Sequence, residues 1–115
     1  MIRAKLRQDR ENRFTGFELN GHSGYAEEGS DIICAAVSIL AFTCINSLES
    51  VSGIQPAVEG ETPGRMKVAL PSEMTEAQQH DAQVILSVLQ QGLHDLAESY
   101  PNYVQLSIVN GGKQP

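Results

Sequence analysis

The chain has 115 residues, 41% of them hydrophobic and 19% charged, with a formal net charge of −6. That length suits one domain, 1–115, and the composition supports a packed core while excluding a disordered or low-complexity chain. The acid excess argues against a nucleic-acid binder, whose usual footprint is a basic patch, so no direct nucleic-acid binding is expected.

The first segment alternates: Ile2, Ala4 and Leu6 interleave with Arg3, Lys5 and Arg7, the period of a strand with one buried face. After a polar turn over 9–13 the alternation resumes at Thr15, Phe17 and Leu19, which predicts a hairpin. Arg3, Lys5, Arg7, Arg10 and Arg13 read as a solvated face of that hairpin. No secretory apolar core of ~7–15 residues follows Met1, and no apolar run approaches the ~20 residues of a membrane span. A cytoplasmic protein without membrane contact is therefore expected.

A loop follows from about 20 to 30, with glycines at 21, 24 and 29. Residues 32–52 predict a helix whose apolar residues wrap most of its circumference, so that it should be largely buried. Ser30 or Asp31 is the expected N-cap and Gly53 the C-terminal stop. Two short strands are expected near 57–59 and 66–70, around the turn-rich stretch from Gly60 to Gly64. Thr75, with Gln78 three residues on, is a capping-box signature for a second helix reaching about Ser99. Its expected apolar face is Val84, Ile85, Val88, Leu89, Leu93 and Leu96. Val104, Leu106 and Ile108 alternate as a last strand, and 110–115 read as a flexible polar tail. The fold class is α+β, in ββαββαβ order: about five strands in a mixed sheet, packed with two helices as a single-domain sandwich.

Cys34 and Cys44 fall on one predicted helix, ten residues and therefore ~15 Å apart. A disulfide spans only ~4.4–6.8 Å, so each thiol needs its own explanation. Cys44 reads as core. Cys34 lies in the first helical turn, where unpaired N–H groups and the positive end of the helix dipole favour a thiolate and can stabilise an oxyanion. His22 offers a base that titrates near neutrality. The two are twelve residues apart, and a glycine-containing loop can fold back over that span, bringing strand end and helix start side by side. The competing readings are a cysteine buried as an inert small hydrophobe and a histidine exposed on a loop. Asp31 is read first as a helix cap and second as a residue orienting the imidazole. Ser38 shares the helical stripe of Cys34 and is read as bonding back to the Cys34 carbonyl. His22, Glu27, Glu28, Asp31 and Cys34 match no zinc spacing, so neither metal nor cofactor is expected. His80 and His94 read as solvated.

Gly21-His22, followed by Gly29-Ser30-Asp31-Ile32-Ile33-Cys34-Ala35-Ala36-Val37-Ser38, resembles the ribosomal-processing cysteine protease family (Prp). Its pattern is a Gly-His pair, a short flexible loop, and Asp-Ile-Val-Cys-Ala at a helix start. Ser23 departs from the usual Ala, and Ile33 from the usual Val. The resemblance implies His22 as base and Cys34 as nucleophile; Asp31 and Ser38 are read as structural support. It also implies a gating loop over 23–30 that turns on Gly24 and Gly29, and a homodimer. The implied substrate is basic: large-subunit ribosomal protein number twenty-seven, from which a short N-terminal extension is removed in support of ribosome assembly. The alternative is a non-enzymatic ribosome-associated binding module in which Cys34 is structural.

Overall fold

The structure is a computed structural model; it describes residues 1–26, 31–62 and 64–111, with residues 61 and 62 described by their backbone. Five strands and two helices follow the expected order: β1 (Ile2–Gln8), β2 (Phe14–Asn20), α1 (Ile32–Ser52), β3 (Ala57–Thr62), β4 (Arg65–Ala69), α2 (Glu76–Ser99) and β5 (Val104–Asn110). The sheet runs β3-β4-β2-β1-β5. Only β1 and β5 pair in parallel, so the sheet is mixed.

The alternation of β1 sorts its side chains onto two faces. Ile2, Ala4 and Leu6 enter the core with Phe17, Leu19, Met66, Val68 and Val104, while Arg3 and Lys5 stand exposed. Register sets charges of opposite sign side by side on the open face, where Glu18 lies between Lys5 and Lys67 and pairs with Arg7. Both helices cover the other face.

Local chemistry sets the helix ends. Asp31, one of the two expected caps, is the N-cap of α1, Ser30 lying outside the described residues; Gly53 closes the helix, its N–H reaching the carbonyls of Leu48 and Glu49. Thr75 and Gln78 form a complete capping box on α2. Gln78 also reaches back to the Ser52 carbonyl at 3.1 Å, and the Ser52 hydroxyl donates to Asp81 at 2.8 Å, tying the end of α1 to the start of α2. The Gln83 amide accepts from the Phe14 N–H at 2.6 Å and donates to the Phe14 carbonyl at 2.9 Å, fastening α2 to β2 as a strand neighbour would.

Three expectations are corrected. α1 is not buried around its circumference: its core stripe is Ile33, Val37, Ala41, Cys44 and Leu48, while Ile32, Ile39, Phe42 and Val51 are exposed. By length and composition it also qualifies as a membrane-spanning helix, although here that stripe packs on the sheet. On α2 the buried stripe is Ala82, Leu86, Leu89 and Leu93, whereas Val84 and Val88 are 50% and 65% exposed. The two stripes differ by a rotation that depends on where the sheet lies, and periodicity alone does not specify that. The polar tail does not begin at 110, because Asn110 pairs with Gln8 and the Gly111 N–H donates to the Gln8 carbonyl at 2.6 Å; residues 112–115 lie outside the described chain.

Leu86→Ala should lower unfolding free energy by about 2–5 kcal/mol, since it opens a void between helix and sheet. Ser87→Ala, one residue on and exposed, should stay within about 0.5 kcal/mol of wild type. Urea denaturation followed by circular dichroism measures both.

Candidate active site

Cys34 is the third residue of α1 and is half-buried. His22 is exposed, two residues beyond the end of β2. The strand end and the helix start meet: Gly21 and Cys34 line one small, mostly apolar cavity with Ile2, Leu19, Ser38 and Met66. The chain reaches that position through Gly21, whose φ of +92° favours glycine and whose added Cβ would lie 2.3 Å from the Met1 carbonyl oxygen. Among the described residues, no hydrogen bond joins the His22 ring to Cys34 or to Asp31. Such bonds often form only in the complex with substrate.

Asp31 is the polar hub. One carboxylate oxygen accepts from the N–H groups of Ile33 at 3.0 Å and Cys34 at 2.9 Å. The other accepts from the Ser23 hydroxyl, and the Ala26 N–H bonds to the same carboxylate. Ser23 Oγ in turn accepts from the Tyr25 N–H at 3.1 Å. Both side chains are buried, Ser23 to 3% and Asp31 to 8% exposure. Burial alone pushes the carboxyl pKa up, but the hydrogen bonds from Ser23, Cys34, Ala26 and Ile33 outweigh it and hold the pKa at about 2. Asp31 is thus the helix cap, as first read, and makes no hydrogen bond to the imidazole.

This cap alters the expected chemistry of the helix start. The N–H groups of Ile33 and Cys34 are taken by the Asp31 side chain, and that of Ala35 by the Asp31 carbonyl at 3.1 Å. These three donors are not free for an oxyanion, and the carboxylate offsets part of the helix dipole beside the thiol. Ser38 is also corrected: it lines the cavity with Cys34 and makes no back-bond to the Cys34 carbonyl.

The loop after His22 is anchored at its entry. Tyr25 packs edge-on against Tyr103 at 5.3 Å and Tyr100 at 6.2 Å between ring centroids, at the corner between α2 and β5. Gly24 is exposed with a φ of +74°. Gly29, the other glycine expected to hinge the loop, lies outside the described residues, as do Glu27 and Glu28. Cys44 is 5% exposed, and burial pushes its thiol up to about 12, which leaves it a core residue. His80 and His94 are exposed, as expected. The reading of residues missed Gly64: a Cβ there would lie 2.7 Å from His22 Nε2. It was visible only as one glycine in a turn-rich stretch.

Asp31→Ala should cost about 1–2 kcal/mol of stability through loss of the cap. Because the carboxyl pKa is depressed from 3.8 to about 2, its contribution is complete above the unfolded value and fades as pH falls toward 2. The stability gap between wild type and Asp31→Ala, measured by urea melts, should be constant above about pH 5 and close below about pH 4. Ser23→Ala should raise the Asp31 pKa in a carbon-detected NMR titration.

The chain matches the family model described as "Cysteine protease Prp" over residues 1–105. It is 25% identical over 108 residues to the ribosomal processing cysteine protease Prp of Bacillus subtilis, covering 93% of this chain and 96% of that protein. The crystal structure of a Streptococcus mutans protein superposes with a TM-score of 0.81 at 32% identity, covering 96% of each chain. The Staphylococcus aureus ribosomal processing protease Prp, solved with a covalently linked product peptide, shares the fold at a TM-score of 0.83 and 23% identity, covering 94% of this chain and 99% of that one. With the sequence match spanning nearly the whole chain and the fold shared from strand to strand, this chain belongs to the cysteine protease Prp family.

Proposed function

We propose that Cys34 is the nucleophile of this protease and His22 its general acid–base. The observation that carries this reading is the half-buried Cys34 thiol at the head of α1, beside the cavity it shares with Gly21. Cys44, the other cysteine, is sealed in the core with its thiol pushed up to about 12. In the reaction His22 takes the Cys34 thiol proton as the sulfur attacks the scissile carbonyl carbon. As the C–N bond breaks, His22 passes a proton to the departing amine, and the acyl group stays on sulfur as a thioester. Water, deprotonated by His22, then releases the new C-terminus and frees the thiol.

The substrate in this reading is a basic ribosomal protein, number twenty-seven of the large subunit, shortened at its N-terminus in the cytoplasm. Support comes from relatives named for ribosomal processing and from the charge of −6 on this chain, which suits a basic partner. The reading also includes a homodimer. Its support is the apolar groove between α1 and α2, where Ile39, Val51, Val84 and Val88 are exposed.

Incubated with the extended ribosomal protein and followed by mass spectrometry, wild type should release one short N-terminal peptide. Cys34→Ala and His22→Ala should each release none while keeping the wild-type circular dichroism spectrum; cleavage by Cys34→Ala would sink the assignment. Iodoacetamide should modify Cys34 at least roughly tenfold faster than Cys44 at neutral pH, whereas a structural cysteine in a binding module would alkylate slowly at both positions. Sedimentation equilibrium should give twice the chain mass, and Val88→Glu should shift it toward the monomer.

A further inference from the structure

The imidazole of His22 stands against the backbone of Gly64, in the turn between β3 and β4. A Cβ added at Gly64 would lie 2.7 Å from His22 Nε2, 3.1 Å from Cε1 and 3.6 Å from Cδ2. Contacts of that length to a carbon do not persist, so the ring would have to move. Gly64 also fixes the backbone leading into His22, its carbonyl accepting from the Gly21 N–H at 2.9 Å. On its other side Gly21 lies close to the Met1 carbonyl, whose oxygen would be 2.3 Å from an added Cβ. Among the described residues no hydrogen bond restrains the ring itself.

Two glycines shape this site. Gly21 has a φ of +92°, and a side chain there would strain the backbone. At Gly64 the space that a side chain would need is already taken. The atoms closest to its missing side chain all belong to one imidazole.

We infer that Gly64 is a positioning residue for the protease reaction: it leaves open the slot in which the His22 ring stands, with the Nε2 edge of the ring turned to the β3–β4 turn. This rests on the reading of His22 as general acid–base. The inference ties the hairpin of β3 and β4, which supplies no group to the chemistry, to the geometry of proton transfer. A shift of order 1 Å in a reacting group costs up to about a hundredfold in rate.

The test is Gly64→Ala, assayed beside wild type, His22→Ala and the double variant His22→Ala/Gly64→Ala. Gly64→Ala should lower kcat by about ten- to a hundredfold with KM changed less than about threefold, and should move the limb of the pH–rate profile that follows the His22 ring in NMR titration. Wild-type kcat and an unmoved ring titration in Gly64→Ala, with His22→Ala inactive, would overturn the inference while leaving His22 in its role. Cleavage by His22→Ala would remove that role and the inference with it. Thermal melts cover a Gly64→Ala chain that folds poorly and need no substrate. If the clash is with the ring, deleting the ring in the double variant restores the melting temperature lost in Gly64→Ala. If the loss persists in the double variant, Gly64 serves the turn alone and the inference fails.

Discussion

One carboxylate holds the working end of this molecule together. Asp31 caps α1 through one oxygen and takes the Ser23 hydroxyl on the other, and the Ala26 N–H bonds to the same carboxylate. Two segments far apart in conformational freedom, a helix start and a loop entry, are thereby fixed to the same atoms. The arrangement also has a chemical consequence. The donors that make a helix N-terminus attractive to anions are used for holding the helix in place. Whatever stabilises negative charge on a bound carbonyl must come from outside the Ile33, Cys34 and Ala35 amides.

The features legible in the sequence are those that depend on near neighbours. The Thr75–Gln78 box, the Gly53 stop, the alternation of β1 and the cap at Asp31 are each settled within a few residues, and each stands in the structure where expected. The misread features depend on distant parts of the chain. Val84 and Leu86 are both apolar helix residues, and which of them is buried is decided by the direction in which β2 and β5 lie. Asn110 is polar in isolation and becomes a strand end because Gln8 is beside it.

The candidate site divides in the same way. Cys34, Asp31 and His22 could be named from residue type, helix position and a paired motif. That Ser23 would be buried against Asp31 could not be, since the two stand eight positions apart in the sequence. Ser38 was placed on the correct side of the helix, by its i+4 spacing from Cys34, but its hydroxyl was assigned the wrong partner. Gly64 was beyond reach because its neighbour, His22, is distant in sequence and lies just past the end of β2. Its Gly21 hydrogen bond and its contact with the imidazole both arise where the β2 and β4 ends come together.

The parallel pairing of β1 with β5 bears on when the molecule comes into being. Residues 2–8 leave the ribosome well before residues 104–110, which complete their hydrogen bonding. Until then β1 is an open edge, and the Tyr100–Tyr103 corner against which Tyr25 packs has not been made. A nascent chain can therefore assemble its hairpins and helices during synthesis, but it finishes the sheet only once β5 has emerged. The enzyme is in this sense self-timed: Tyr25, at the loop entry beside the site, waits for the later-translated Tyr100 and Tyr103 before it can pack.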